Sequence, residues 1–483
     1  MESSEKKIIL SSFMWKFLER ISSQGVSFVI GIILARLLLP SDYGVVALVQ
    51  VLVAVASVFV TSGFSAALIQ NKNADDIDFS TILYCSLAAS ILLYVVLFLT
   101  APFIAEFYDV PELTLITRVY AFVLVLYGYN SVQSAWVSRN MVFKKFFIAT
   151  LLGTFISGIV GLLMAYNGFG AWSIVGQSMT NVVVNMFVIR LIIPWRPKLI
   201  FSFSRAKKLM NYGTKILGAD LIGTIFNEIQ QILIGRIYTP ADLAFFNKGR
   251  GLPYLVTNNI DNSINAVLFP ALSNHSDDPV VMKQMVRKGI KLSSYIMFFF
   301  MATLAIFAKP FIELLLTAKW LECVPYMQFI CVSSMIGIMS TANLQALKAS
   351  GNGGTVLKLE VVKKPVYLIM IAVAAGISVR AIAMTFPIYA VYSALINMIP
   401  NKRILNYSLT EQLKDVAPAS FLTIVMAALV YPLNGMDMPC LPKVFLMGIA
   451  CAAVYFLFSW VFKVEAFLLC KTMVFNRLKM RNA

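Results

Sequence analysis

The feature that most limits the fold of this chain is a series of long apolar runs separated by short charged clusters. The chain has 483 residues, of which 59% are hydrophobic and 13% are charged. A soluble domain of this size needs more polar side chains to cover its surface. Each run can cross about 30 Å of hydrocarbon as a helix, which takes roughly 20 residues. Transmembrane barrels show shorter, alternating segments, so the sequence predicts an all-α polytopic membrane protein.

The apolar runs predict about fourteen transmembrane helices. The first run follows Lys6 and Lys7, is too long for a signal-peptide core and precedes no clear cleavage site. We therefore expect an uncleaved first helix after a short amphipathic stretch. An even number of spans places both termini on one side of the membrane. The predicted helices cover residues 14–38, 44–70, 79–105, 113–137, 147–166, 171–193, 211–236, 242–268, 286–308, 324–347, 356–377, 381–399, 415–432 and 444–462.

Lysine and arginine are distributed unevenly between the two sets of predicted loops. One set, with the C-terminal tail, carries basic segments that include "RNMVFKK", "WRPKLIFSFSRAKK", "KQMVRKGIK" and "KLEVVKK". The other set holds Lys309, Lys319, Arg380 and Lys443. Cytoplasmic loops carry the excess of positive charge, so we expect both termini in the cytoplasm. The net charge of +17 is then typical of a protein that faces anionic membrane lipids, and we expect no nucleic-acid partner.

Residues suited to catalysis or cofactor binding are scarce in this sequence. The six cysteines form no CxxC pair, and His275 is the single histidine. The glycines of "SGNGG" (350–354) precede no Lys-Ser/Thr pair, as a phosphate-cradling loop requires. The outside loops are short, the longest surrounding "KPFIELLLTAKWLECVP". We expect no metal, no cofactor and no enzymatic activity.

Two short stretches repeat the same polar pattern 200 residues apart. Residues 33–44 read "ILARLLLPSDYG" and residues 233–244 read "LIGRIYTPADLA", with Arg, Pro and Asp at matching positions. Proline suits the first turn of a helix, and a nearby aspartate can cap its free N–H groups. Each stretch is therefore predicted to end one helix at arginine and to begin the next after a tight turn.

The repeat predicts two parallel six-helix lobes, because an even number of helices per lobe preserves orientation in the membrane. We assign residues 1–200 to the N-terminal lobe, 201–400 to the C-terminal lobe, and 401–483 to helices 13 and 14 with a basic cytoplasmic tail. Two lobes that face each other across a cleft form a transporter architecture, since rocking them exposes the cleft alternately to each side.

Polar stripes on predicted helices 1, 7 and 8 indicate which side chains line that cleft. A charge at the bilayer centre costs about 2.5–3.5 kcal/mol, so such residues face a partner or water. Cations suit an anionic head group such as a phosphate, and the candidates are Arg20, Lys215, Arg250, Lys16 and Arg118. Buried carboxylates suit coupling to protons or sodium, and the candidates are Glu19, Asp220, Glu228 and Asp261. The remaining candidate lining residues are polar: Asn227, Gln231, Tyr254, Asn258 and Asn265.

The stripes have a second interpretation, in which they hold helices together. Lys16 would then pair with Glu19, and Asp220 would bond Thr224. We expect Arg36 and Arg236, beside the repeated turns, to extend towards the membrane surface.

Several motifs occur in an order that resembles one family, the polysaccharide exporters of the MOP superfamily. The closest branch is that of the Wzx-type lipopolysaccharide and exopolysaccharide flippases, over about residues 10–460. The motifs are "ILARLLLPSDYGVVALV", "GFSAALIQNKN", "APFIAEFYDVPEL", "VSRNMVFKKF", "GFGAWSIVGQ", "ILIGRIYTPADLAFFNKG" and "AVLFPALSN". The second turn is less typical, since Leu243 and Ala244 stand where the first copy has Tyr43 and Gly44.

This resemblance implies fourteen helices in two lobes and a bacterial inner membrane. It implies that the partner is a polyprenyl-pyrophosphate-linked oligosaccharide, carried from the inner to the outer leaflet. It also implies that cavity cations meet the pyrophosphate, and Arg20, Lys215 and Arg250 lie on the helices where this would happen.

Two other functions stay open on the sequence alone. An ion-coupled multidrug and toxin exporter would use Asp220, Glu228 or Asp261, but such exporters typically have twelve helices. A membrane enzyme of glycan assembly would need more ordered polar structure outside than the short loops provide. The sequence leaves open the glycan, the oligomeric state and the coupling ion, whether H⁺, Na⁺ or none.

Overall fold

The computed structural model describes the backbone of residues 2–70 and 74–472. Side chains are described from residue 14 onward within those ranges, except at positions 64, 66, 70, 211, 212 and 215. The basic tail after residue 472 lies outside the described residues. The described secondary structure is helical and contains no β-strand, which confirms the predicted all-α class.

The chain divides into two compact units, Met1–Ala244 and Phe245–Ala483. The helices of the first unit are α1 (Glu2–Leu37), α2 (Pro40–Gln70), α3 (Asp76–Tyr108), α4 (Leu113–Tyr120), α5 (Val123–Arg139), α6 (Phe143–Tyr166), α7 (Ala171–Ile192) and α8 (Phe203–Ile237). Helix α9 (Pro240–Ser273) begins at the boundary. The second unit continues with α10 (Pro279–Ile306), α11 (Ala308–Leu316), α12 (Val324–Ala349), α13 (Gly353–Ala375), α14 (Val379–Ile404), α15 (Leu409–Val430) and α16 (Cys440–Val461).

Eleven helical segments within the described residues are long and apolar enough to cross a membrane, so the chain is a multi-pass membrane protein. Helices α8, α9 and α13, which correspond to predicted helices 7, 8 and 11, are not among the eleven. Helices α8 and α9 carry polar stripes, and α13 carries Lys358, Glu360, Lys363 and Lys364. The predicted count of about fourteen spans is therefore not confirmed.

Predicted helix 4 is confirmed as one apolar span, Leu113–Arg139, in which a turn at Ala121–Phe122 separates α4 from α5. One local prediction was wrong. The expected outside loop after α10 forms α11 and a 3₁₀ helix, Ala318–Cys323. Helix α11 has nine residues, which are too few to span a membrane. Ile312 and Trp320 are fully buried in these two segments, so both segments fold against the protein.

The repeated turns have matching geometry. Helix α1 ends at Leu37 and α2 begins at Pro40, and α8 ends at Ile237 and α9 begins at Pro240. The Asp42 carboxylate accepts a hydrogen bond from the backbone N–H of Leu39 at 2.9 Å. The Asp242 carboxylate accepts one from the backbone N–H of Thr239 at 3.1 Å. The predicted helix ends and the predicted capping by aspartate are confirmed.

The difference between the two copies at Gly44 has a steric cause. A Cβ atom at position 44 would lie 1.7 Å from the carbonyl oxygen of Pro240, which no side chain permits. Ala244, the matching residue of the second copy, is buried and fits its site. The two copies of the turn therefore touch each other at Gly44 and Pro240.

Helix α8 packs closely along α2. A Cβ atom added to Gly63 would lie 2.8 Å from the carbonyl oxygen of Gly213, so the two backbones are in direct contact there. For this reason α8 belongs to the first compact unit, whose boundary at residue 244 comes after the predicted lobe boundary at residue 200. The lobe assignment by sequence repeat stays a prediction.

Candidate functional site

The polar residues of α1 lie against α6. Lys16 Nζ lies 2.7 Å from Glu19 Oε2 and 4.6 Å from the centre of the Phe146 ring. Glu19 is buried, with 8% of its surface exposed. The pair therefore neutralises itself at a helix contact, as the second interpretation expects. Arg20 is half-buried and forms no ion pair with another described side chain.

The stripe on α8 is more exposed. Asp220 and Asn227 are exposed, and Glu228 is half-buried and accepts a hydrogen bond from Gln231. Among the described side chains, Asp220 does not bond Thr224. The Lys215 side chain lies outside the described residues, so its predicted role stays a prediction.

Arg118 contacts Phe98 of α3. Its Nε donates to the backbone oxygen of Phe98 at 3.4 Å, and its guanidinium carbon lies 4.8 Å from the centre of the Phe98 ring. Arg236 likewise lies 5.2 Å from the centre of the Phe107 ring. These contacts fasten both arginines to α3 and favour a structural role for them.

Helix α9 carries its polar residues in one stripe along the helix. Three residues of this stripe form hydrogen bonds with α12: Thr257 with Ser334 at 2.8 Å, Asp261 with Thr341 at 3.3 Å, and Asn265 with Gln345 at 2.8 Å. These residues recur every four positions, so they form one seam along the helix contact. Two predicted lining residues, Asp261 and Asn265, thus contribute to helix packing.

The same stripe also carries Arg250, Tyr254 and Asn258, each seven residues before one of these hydrogen-bonded residues. The Arg250 guanidinium carbon lies 4.5 Å from the centre of the Tyr254 ring, and Asn258 is exposed. Arg250 forms no ion pair with any described carboxylate. A half-buried guanidinium of this kind can bind a phosphate through two parallel hydrogen bonds.

Helices α13 and α14 add aromatic residues that the sequence did not single out. The ring centres of Tyr367 and Tyr389 are 4.6 Å apart, and those of Tyr389 and Tyr392 are 6.3 Å apart. Tyr367 lies close enough to Tyr254 and Arg250 to interact electrostatically with both. The available signal was the spacing of Glu360, Lys363 and Tyr367 on one face of predicted helix 11, but "KLEVVKK" was considered only as a basic cytoplasmic segment.

The basic segment "KQMVRKGIK", which was assigned to the cytoplasmic side, lies inside α10. Arg287 donates two hydrogen bonds to Asp415 of α15, at 2.7 and 2.8 Å. The Tyr407 hydroxyl donates to the same carboxylate at 2.8 Å, and Lys283 pairs with Glu411 at 3.0 Å. These cations fasten α15 to α10 and are neutralised by that contact, unlike Arg250.

Comparison with known proteins gives the family. The family described as polysaccharide biosynthesis protein matches residues 33–325. The succinoglycan biosynthesis transport protein ExoT of Rhizobium meliloti (strain 1021) is 21% identical over 347 residues, which are 72% of this chain and 70% of the relative. The lipopolysaccharide biosynthesis protein WzxC of Escherichia coli (strain K12) is 20% identical over 345 residues, 70% of this chain and 68% of the relative.

A solved structure shares the fold. The lipid II flippase MurJ, in an inward closed conformation, superposes with a TM-score of 0.73 at 13% identity, over 94% of this chain and 98% of its own. The chain therefore shares the fold of this solved structure. Since the family match spans more than half of the sequence, the chain belongs to the polysaccharide biosynthesis protein family.

Proposed function

We propose that this protein is a flippase for a polyprenyl-pyrophosphate-linked oligosaccharide. It moves this lipid from the cytoplasmic to the outer leaflet of the bacterial inner membrane, with both of its own termini in the cytoplasm. The product serves lipopolysaccharide or exopolysaccharide biosynthesis. The family match over residues 33–325 is the observation that carries this proposal, and the MurJ-like fold supports it.

Two arginines on predicted membrane helices are the candidates for binding the pyrophosphate of the substrate. Arg20 lies on α1 and Arg250 on α9, which the sequence predicts to be membrane helices, and both are half-buried and have no carboxylate partner among the described residues. An unneutralised cation is costly in a membrane, and a pyrophosphate would offset that cost. In the proposed mechanism these residues hold the pyrophosphate while the sugars cross through the predicted hydrated cleft. The prenyl tail stays in lipid, and no covalent bond changes.

Coupling to protons or sodium is a further part of the proposal. Glu19 is neutralised by Lys16, and Asp261 accepts a hydrogen bond from Thr341. Asp220 is exposed on α8 and forms no ion pair among the described residues. We therefore propose Asp220 as the first carboxylate to test for ion coupling.

Export in cells tests the cation assignment. The variants Arg20→Ala, Lys215→Ala and Arg250→Ala should each reduce surface glycan while the amount of protein in the membrane stays unchanged. Arg380→Ala is the matched control, because Arg380 forms an exposed ion pair with Glu322 at 2.9 Å and should export normally. Full glycan export from all three variants would refute the cation assignment.

A further inference from the structure

Four tyrosines of the second unit lie near Arg250, which pairs with no described carboxylate, and we call Tyr254, Tyr367, Tyr389 and Tyr392 the tyrosine cluster. We infer that the tyrosine cluster binds the sugar rings of the transported lipid-linked glycan, next to the pyrophosphate held by Arg250. The inference rests on the proposed function and adds the residues that recognise the carbohydrate.

Three helices build the tyrosine cluster. Helix α9 supplies Tyr254, whose ring centre lies 4.5 Å from the Arg250 guanidinium carbon. Helix α13 supplies Tyr367, and α14 supplies Tyr389, with ring centres 4.6 Å apart and planes inclined by 47°. Tyr392 continues this row one turn further along α14.

Charged groups lie along the same face of α13. Glu360 Oε1 lies 2.6 Å from Lys363 Nζ, and Glu360 is near enough to Tyr389 to interact with it electrostatically. Lys363 is 2% exposed, whereas the Glu360 side chain is 37% exposed. Since Lys363 and Tyr367 are four residues apart, they lie on one helix face. A partly exposed carboxylate beside aromatic rings is a good acceptor for sugar hydroxyl groups.

A second pair of tyrosines in the same unit, Tyr295 and Tyr455, serves only to pack helices and provides a comparison. Tyr295 and Tyr455 are buried. Their hydroxyls donate hydrogen bonds to Ser459 Oγ at 3.0 Å and to the Tyr295 backbone oxygen at 2.9 Å. By contrast, Tyr389 and Tyr392 are half-buried, and their hydroxyls form no hydrogen bond with a described residue. They keep both a ring face and a hydroxyl for a ligand.

A pyranose ring matches this arrangement. One face of the sugar presents C–H groups that pack on an electron-rich ring, and its edge presents hydroxyls that need donors and acceptors. Tyrosine offers an apolar ring and a polar tip in one side chain. Because the first sugar is attached directly to the pyrophosphate, a phosphate at Arg250 would place that sugar at the tyrosine cluster.

Binding measurements on the purified full-length protein in nanodiscs test the inference. The two probes are polyprenyl pyrophosphate and the same lipid carrying a glucose trisaccharide. The wild-type protein should bind the sugar-bearing probe more tightly. Tyr389→Leu should weaken binding of that probe by about threefold to tenfold and leave binding of the sugar-free probe unchanged. Tyr389→Phe, which keeps the ring, should retain most of the affinity.

Tyr431→Leu is the matched control, because Tyr431 is 57% exposed and lies outside the tyrosine cluster. It should leave both affinities unchanged, and equal melting temperatures should show that all variants are folded. Wild-type affinity of Tyr389→Leu for the sugar-bearing probe, or an equal loss for both probes, would overturn the inference. If the wild-type protein binds neither probe, the proposed function itself is wrong.

Discussion

At the scale of single residues, Gly44 lies where the two copies of the repeated turn touch each other. The matching turns were visible in the sequence, because Pro and Asp recur at fixed spacing and cap helices for known reasons. The need for glycine in one copy only was not predictable. It arises because Pro240, distant in sequence, lies where the Cβ atom of any other residue at position 44 would be.

We predict that Gly44→Ala destabilises the protein by at least about 3 kcal/mol, because the obstructing atoms belong to the backbone. Gly448→Ala in α16 is the control, since its Cβ atom would meet nothing within 4 Å. That change should stabilise the helix by about 1 kcal/mol. Melting temperatures of the two variants in one detergent measure the contrast. A Gly44→Ala protein as stable as Gly448→Ala would contradict the contact.

At the scale of helices, long apolar runs predicted most elements well, because spanning a membrane requires both length and apolar composition. The break between α4 and α5 was not predictable, since Ala121 and Phe122 are neither glycine nor proline. Helix α11 was missed because a segment too short to cross the membrane was interpreted as a loop. The charges at the starts of α10 and α13 were counted with the cytoplasmic segments, because the sequence does not show their partners. Arg287 pairs with Asp415 of another helix, whereas Lys363 pairs with Glu360 of its own helix.

The contact between α10 and α15 gives an energetic prediction. Asp415 has a 5% exposed side chain, and Arg287 is 37% exposed. Arg287→Ala leaves this carboxylate without its two-pronged partner. We expect a loss on the order of 2 kcal/mol, less than for a fully buried pair because water screens Arg287.

Lys198→Ala is the control for this ion pair. Lys198 pairs with Asp76 at 2.7 Å, and both side chains are about half exposed. Its removal should cost no more than about 1 kcal/mol. The measurement is the unfolding free energy of each variant relative to the wild-type protein. Equal losses would mean that the Arg287–Asp415 contact stabilises the fold no more than an exposed ion pair does.

The start of α3 gives a prediction about pH. The Asp75 carboxylate caps this helix and lies 2.5 Å from Arg205 Nη1. The hydrogen bond from Arg205 is the main cause that holds the pKa of Asp75 below its ordinary value of 3.8. Because the folded-state pKa is the lower one, the carboxylate stabilises the fold above pH 3.8. This stability is lost as the pH falls through the folded-state value.

Melting temperatures measured from about pH 6 to about pH 3 test this contribution. Asp75→Asn keeps a capping side chain but cannot ionise, so its stability should fall less steeply with acid than that of the wild-type protein. The same acid dependence in both proteins would show that Asp75 does not contribute.

At the scale of the whole molecule, the sequence predicted the class of protein better than the details of its site. Arg250 and Tyr254 were predictable, because they share one face of one helix. Tyr367 and Tyr389 were not, because only folding brings α13 and α14 beside α9. The same stripe also contained Asp261 and Asn265, which contact α12. Spacing along a helix identifies a polar face but does not say what that face contacts.

The flippase proposal is tested most directly by a transport assay with the purified protein. The assay uses liposomes that carry a fluorescent polyprenyl-pyrophosphate oligosaccharide in both leaflets. A quencher that cannot cross the membrane is added outside. With wild-type protein, label from the inner leaflet should reach the quencher, so quenching should approach completion, and Arg250→Ala should slow this process. Quenching limited to the outer-leaflet label, as in protein-free liposomes, would contradict the claim that this protein is a flippase.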